Sequence, residues 1–325
     1  VIKEQVSFRR VFCAPKDMVW VSADFKSQEL RIAAAISGDK NLNAVYQLED
    51  EYTKGIRPLP LDPQGNTYAD PRVDPHIMAS TSMSAEVKNL VLNEPWNANE
   101  SNKLIKTYRK KGKVLNFQIL YGGQANAIAS ALSISNEEAE KLISDYFSYP
   151  DGFYGLGKCL KKTGLLGNAQ RWVRTPMGGM LFCNESNAKG LINQNTSIRR
   201  ACNFIIQGTA AEQCKLALIY ADEVIETLNT KFNVKDRPAR IVAVVHDEIN
   251  AIVPGSWGWN KTIDKDRVIY NFNKHPSTDP EEIMAYEYAT GIKEAMERAM
   301  AESFRYCKHP TPAGASIQIG RYWLH

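Results

Sequence analysis

The thirteen residues IVAVVHDEINAIV at 241–253 constrain this chain more than any other stretch. Two runs with the composition of buried strands meet at Asp247 and Glu248, and a charge buried without a partner is expensive. The acids must therefore sit at an exposed hairpin tip, pair with a base, or bind a cation. A third acid, Asp24, ends its own apolar strand pattern in VWVSADF. The apolar spacing then changes from alternation to Leu30, Ala33, Ala34 and Ile36, a helical period. Strand-end carboxylates side by side in one sheet repel each other unless divalent cations lie between them. Oxygen-only ligands suit Mg²⁺, which keeps waters and accepts substrate phosphates. Two such ions about 4 Å apart can activate a hydroxyl and stabilise a leaving oxygen in phosphoryl transfer.

A second pattern lies in KTYRKKGKVLNFQILYG, residues 106–122. Arg109, Lys113, Phe117 and Tyr121 recur every four residues, so they drift only about 40° per step and share one broad helix face. One edge is cationic and the other aromatic, an arrangement that suits a triphosphate carrying a flat base. An ordinary amphipathic helix, with Leu115 and Leu120 inward and the lysines in water, fits the same residues. Gly112 conflicts with a helix by about 1 kcal/mol relative to alanine.

The rest of the chain predicts an α+β fold. Residues 49–75, with five prolines and two glycines, read as a surface insertion. A polar stretch at 93–102 precedes a helical pattern over about 102–132. A helix at 136–147 has Ser135 as cap and Glu138 at the capping-box position. Residues 171–183 read as a hairpin turning at Pro176 and Gly178-Gly179, 196–228 as a long helix, 286–304 as a final helix and 315–322 as a terminal strand. The run Lys158 to Lys162 reads as a solvated face. Six cysteines without a C-x-x-C pair argue against a zinc site or disulfide framework. No apolar run approaches the roughly 18 residues that a membrane span needs, so no membrane association is expected. A net charge of +4 over 325 residues neither demands nor excludes nucleic acid. A start at Val1, almost directly in a strand pattern and without a signal-peptide layout, suggests a processed or partial intracellular polypeptide.

Taken together and in order, these pieces resemble the A family of DNA polymerases, related to bacterial DNA polymerase I, phage replicases and the mitochondrial replicase. Asp24-Phe25-Lys26-Ser27-Gln28-Glu29-Leu30-Arg31 resembles its first palm motif. Arg109, Lys113, Asn116, Phe117, Tyr121 and Gly122 match the fingers pattern R-x-x-x-K-x-x-N-F-x-x-x-Y-G. Asn203 to Ala211, NFIIQGTAA, matches an intervening segment, and His246-Asp247-Glu248 the second palm motif. FRRVFCAP before Asp24, SGD after Arg31 and GRYW near the end extend the likeness over most of the chain. Lys26 stands where the family usually has a small or acidic residue, and Gly178-Gly179-Met180 where many relatives carry an arginine-rich turn.

The resemblance implies a right-hand polymerase fold: an antiparallel palm sheet from residues 1–40 and 191–325, and helical fingers from 41–190 with insertions near 49–73 and 90–102. It implies that Asp24 and Asp247, with the Phe25 carbonyl, hold two Mg²⁺ ions, for which Mn²⁺ substitutes, and that Glu248 is an auxiliary acid. Lys113 acts in catalysis and, with Arg109 and His76, grips the incoming nucleotide. Phe117 stacks on it, Gln28 lies at its site, and Glu29 with Tyr121 excludes a 2′-hydroxyl. Gln207, Asn203, His246 and Arg199 contact DNA, where minor-groove acceptors suit sequence-independent binding. The expected partners are primer-template DNA, dNTPs and a second polypeptide or upstream segment carrying the thumb and exonuclease. The setting is viral, in host cytoplasm, or mitochondrial. A single-subunit RNA polymerase and a catalytically silent DNA-binding subunit are the alternatives.

Overall fold

The computed structural model describes residues 8–61, 65, 67–93, 100–148, 150–184, 193–255 and 279–323. In chain order, the first half contains β1 (Met18–Phe25), α1 (Gln28–Ser37), α2 (Lys40–Thr53), α3 (Pro75–Ser80), α4 (Ala85–Asn93), α5 (Glu100–Leu120), α6 (Ala125–Leu132) and α7 (Asn136–Tyr146). There follow α8 (Tyr154–Gln170), β2 (Trp172–Arg174), β3 (Met180–Phe182), α9 (Gln194–Lys231), β4 (Arg240–Val245), β5 (Glu248–Pro254), α10 (Pro280–Phe304) and β6 (Ala315–Gly320). The fold is α+β. It divides into two compact units, one of Val1–Gln28, Ala210–Glu302 and Ala313–His325, the other of Glu29–Thr209 and Ser303–Pro312.

The first unit is built on an antiparallel sheet of order β4-β5-β1-β6. Its interior strands are the two apolar runs that carry the acids. β5 is buried along its whole length and β1 almost so, whereas the edge strand β4 exposes every second residue. β4 and β5 pair from Val245 to Glu248, leaving His246-Asp247 as a two-residue turn in which His246 takes φ +56°. The segments flanking the sheet close on each other. Ala14 N donates to Arg321 O and Trp323 N to Phe12 O, and the Trp323 indole stacks on Trp20 at 6.4 Å with the edge of Phe12 against it. That pairing brings FRRVFCAP and GRYW together. On the helical side, Gly291 lies where a Cβ would come within 2.6 Å of Val224, so α10 passes close to α9.

The second unit is mostly helical, and the chain departs from the sequence reading at three places. Residues 49–75 are not all loop: α2 continues to Thr53, Pro71–Val73 is a 3-10 helix, and α3 starts at Pro75. In the pairs Asp70-Pro71 and Asp74-Pro75 the aspartate caps the helix and the proline takes its first position, where a missing N–H costs nothing. The pattern expected as one helix over 102–132 is two, α5 and α6. Gly122 adopts φ +73° and Gly123 N donates back to Gln118 O, which ends α5. The final helix begins at Pro280, six residues earlier than its apolar pattern suggests, on the Asp279 side chain as cap. The Ser135–Glu138 capping box and the β2-β3 hairpin form as predicted. Residues 94–99, within the expected insertion, lie outside the described residues.

Gly112 resolves its own conflict. A Cβ there would fall 2.0 Å from the His76 carbonyl oxygen, so glycine lets α3 lie directly against α5. The helix-propensity cost is offset by a contact that brings residue 76 onto the basic and aromatic helix.

Candidate active site

Two groups of predicted site residues assemble, one in each unit. In the first, the β1-β5 register sets Asp24 opposite Glu248, and Phe25 N donates to Asp247 O at 3.3 Å. All three acids thus meet at one corner of the sheet. Glu248 is buried, and its Oε1 accepts the Trp323 indole N–H at 2.7 Å. Asp24 is pushed up from the ordinary carboxylate value of 3.8 to about 7, by burial first, then by the charges of Asp247 and Glu248, against a hydrogen bond from backbone that lowers it. His246 is exposed on the turn, and its carbonyl accepts Cys214 Sγ at 3.6 Å. Burial raises the Cys214 thiol, and the charges of Asp247 and Asp24 add to that. Phe25 is buried as the last residue of β1.

A carboxylate whose proton affinity is raised by two neighbouring carboxylates marks a site for positive charge, and that is the fit to a divalent cation. Among the described residues no group of three or more His, Cys, Asp or Glu side chains has a metal-holding arrangement. Two carboxylates and a backbone carbonyl leave most positions to water and phosphate, the ligand set that suits Mg²⁺.

In the second unit, α5 displays Arg109, Lys113, Phe117 and Tyr121 as one face. Arg109 Nε donates to Asp74 Oδ2 at 2.5 Å, and the same carboxylate caps α3 by accepting from His76 N and Ile77 N. Exposed Lys113 lies over the Phe117 ring at 5.7 Å. Phe117 stacks with Tyr121 at 5.8 Å and meets the His76 ring at 5.9 Å. The Tyr121 hydroxyl donates to the Glu29 carboxylate at 3.0 Å. His76 is buried, and its pKa falls from 6.5 to about 4, mainly through burial and then through Arg109 and Lys113, with Asp74 opposing. Its ring is therefore neutral near pH 7.

Arg199, Asn203 and Gln207 follow one another at four-residue spacing on the stretch of α9 in the second unit. Arg199 and Gln207 are exposed, while Asn203 Oδ1 is buried without a hydrogen-bond partner among the described residues. Gly122 fits against Arg199, where a Cβ would be 3.0 Å from Cγ. Gln28 differs from the others. It is buried, and its amide donates to Ala210 O at 3.2 Å and Gln213 Oε1 at 3.1 Å, so it anchors β1's exit to α9. Arg31 is likewise internal, paired with Glu49 and donating to Pro312 O at 2.6 Å.

Sequence reasoning missed Asp74, Tyr146, Cys214 and Trp323 as members of these groups. An aspartate directly before a helix-starting proline was a usable signal for Asp74. The other three depend on contacts across 30 or more positions, as between Tyr146 and Asn116 or Trp323 and Glu248, and carry no local pattern.

Residues 74–257, more than half of the chain, match the model of DNA polymerase family A. The chain belongs to this family. It is 29% identical over 249 residues to the thermostable DNA polymerase I of Thermus thermophilus, covering 74% of this chain and 23% of that relative. It is 27% identical over 252 residues to DNA polymerase I of Chloroflexus aurantiacus, covering 78% of this chain and 22% of the relative. A third match, to the thermostable enzyme of another Thermus thermophilus strain, is 26% identical over 324 residues and takes in 97% of this chain and 28% of the relative. The chain thus spans about a quarter of the length of these curated relatives. The fold also matches the POL domain of Pol1 from M. smegmatis, solved with DNA primer-template and dNTP, at a TM-score of 0.62 and 21% identity over 97% of this chain and 42% of that one. The family match contains His76, the α5 face, the α9 residues and His246-Asp247-Glu248. Asp24 to Glu29 fall before it, inside the longer alignment that covers almost the whole chain.

Proposed function

We propose that this chain is the catalytic part of a template-directed DNA polymerase, adding deoxynucleotides to a primer 3′ end by phosphoryl transfer assisted by two divalent cations. The observation that carries the reading is the juxtaposition of Asp24 and Asp247, far apart in sequence and brought to neighbouring strand ends by the β1-β5 register. With Asp24, Asp247 and the Phe25 carbonyl as ligands, Mg²⁺ or Mn²⁺ would supply activation of the primer hydroxyl and neutralisation of the leaving pyrophosphate. Glu248, held by Trp323, adds negative charge behind the two aspartates.

Arg109 and Lys113 bind triphosphate oxygens, Lys113 also serves the reaction, and His76 adds a neutral N–H donor. Phe117 stacks on base and sugar. Tyr121 hydrogen-bonded to Glu29 fills the space a 2′-hydroxyl needs, which favours DNA over RNA precursors and speaks against the RNA polymerase reading. Arg199, Asn203, Gln207 and His246 contact primer-template, and Gln28 acts by holding α9. In this reading the sheet unit is the palm and the helical unit the fingers. Thumb and exonuclease functions come from polypeptide outside these 325 residues, in a viral replicase of the host cytoplasm or an organellar one. No described helix is long and apolar enough to cross a membrane.

Primer extension with Mg²⁺, comparing the unaltered chain with Asp247→Asn in the presence of its thumb-bearing partner, tests the assignment. A loss of about a thousandfold, roughly 4 kcal/mol of barrier, is expected. Equal rates would remove the metal role, and a silent parent with intact DNA binding would favour the non-catalytic subunit.

A further inference from the structure

His76 sits in a hydrogen-bond network whose direction the chemistry fixes. One end of the Asn116 side-chain amide lies 3.2 Å from the Pro75 carbonyl oxygen, which can only accept. That end must be the NH₂ group. Its second hydrogen is directed to His76 Nδ1 at 3.0 Å. The other end, Oδ1, accepts the Tyr146 hydroxyl at 2.7 Å. Reversing the amide would face an oxygen to the Pro75 carbonyl, and all of Asn116 and nearly all of Tyr146 are shut off from solvent that might compensate. Nδ1 is thus obliged to accept.

We propose that Asn116 is a positioning residue that keeps Nδ1 of His76 bare and its single proton on Nε2, so that the ring offers one fixed N–H donor to a nucleotide phosphate. The phosphate clause rests on the functional reading above; the proton assignment does not. Among the described residues Nε2 makes no hydrogen bond, so its donor is spare. A histidine that had to accept at Nδ1 also resists becoming an imidazolium, because Asn116 would then oppose N–H to N–H. The depressed basicity of His76 agrees with this, with burial as its main cause and Asp74, Arg109 and Lys113 as the charged groups around the ring. Tyr146 acts one step further back: its hydroxyl occupies the Asn116 oxygen. Asn116 belongs to the same α5 pattern as Lys113 and Phe117, yet it points inward and works through His76.

The test is the ¹⁵N spectrum of the imidazoles in the full chain at pH 7, with His76 identified by the signal lost in His76→Gln. Nδ1 should resonate as an unprotonated nitrogen and Nε2 as a protonated one. A protonated Nδ1 in the unaltered chain overturns the proposal whatever any variant does. In Asn116→Asp the new carboxylate can only accept, so the Nδ1 signal should move to the protonated range; in Asn116→Leu, which covers the case where the aspartate variant does not fold, both tautomers should appear. Pure Nε2–H in both variants would show that Asn116 does not set the tautomer. Failure of the unaltered chain to bind a dNTP, with the proton found on Nε2, would overturn the phosphate role alone.

Discussion

The sheet corner and the α5 face solve opposite electrostatic problems. At the corner, three like charges are forced together by strand register, and the conflict is visible in Asp24, whose proton affinity is raised by burial and by Asp247 and Glu248. On the α5 face nearly every functional group already has an internal partner: Arg109 has Asp74, Tyr121 has Glu29, Lys113 has the Phe117 ring and His76 has Asn116. In the proposed reading a cation relieves the strain of the first group. In that reading the second is largely satisfied beforehand: Arg109 must leave Asp74 to meet a phosphate, whereas His76 keeps Asn116 and offers its spare N–H. The difference teaches that rigidity comes from different sources: backbone pairing holds the acids where side chains alone would push apart, whereas the helix face is held by the side chains themselves.

The largest effect should come from breaking the strained side. Asp247→Asn should reduce primer extension about a thousandfold while making the metal-free protein slightly more stable, by about 0.5–1 kcal/mol, because a repulsion is removed. Activity loss accompanied by a lower melting temperature would mean that Asp247 is a structural residue instead. Gly112→Ala probes the satisfied side. The added methyl meets the His76 carbonyl at 2.0 Å and Ser80 N at 3.2 Å, backbone atoms that cannot swing aside. Despite a gain of about 1 kcal/mol in helix propensity, we expect a net loss of about 2 kcal/mol in denaturant unfolding and weaker dNTP binding. A stabilised Gly112→Ala protein would refute the close α3-α5 contact.

The two regions also make opposite contributions to stability against pH. Asp24 is raised above its unfolded value of 3.8, so the folded state holds the extra proton between about 4 and 7. Its contribution is present below pH 4 and lost as pH rises to about 7. His76 is lowered from 6.5 to about 4, so the unfolded state holds the extra proton. Its contribution is full above pH 6.5 and lost as pH falls towards 4. At about 1.4 kcal/mol per unit, and with half-exposed Asp24 discounted for solvent screening, each is on the order of 2 kcal/mol. In chelator, then, Asp24→Asn should steepen the rise of stability from pH 4 to 6.5, and His76→Gln should expose a fall over pH 4 to 7. Melting curves of both variants running parallel to the parent's would contradict both assignments.

What could be seen in advance follows the same division. The acids of the sheet were legible because two buried-strand runs cannot end in charge without a reason, and Asp24 announced itself by the change of period after it. The α5 face was legible from four-residue spacing. The proline-rich stretch was misread because Asp70-Pro71 and Asp74-Pro75 start helices, and proline counted as a breaker hides the capping aspartate before it. Gly112 was read as a cost because propensity describes one helix, whereas its reason is a second helix 2.0 Å from the missing methyl. Trp323 on Glu248 and Tyr146 on Asn116 are side-chain meetings of distant segments, which no local period encodes. Gln28 sits in the run that resembles the first palm motif, but the register of α1 turns it towards α9.

The smallest expected effect sharpens the comparison most. If the α5 face is built of exchangeable pairs, Tyr121→Phe removes the hydroxyl's hydrogen bond to Glu29 at an exposed position, where the carboxylate can accept from water instead. The stability change should stay within about 0.5 kcal/mol. The ring remains, so its stacking on Phe117 at 5.8 Å survives and DNA synthesis should continue at near-parental rate. What changes is Glu29, which loses the hydrogen bond from the hydroxyl, and discrimination against ribonucleotides in a competition assay should relax by a few fold, less than in Glu29→Ala. A loss above about 2 kcal/mol in Tyr121→Phe would mean that this pair is a structural strut, and the contrast between a strained corner and an exchangeable face would no longer hold.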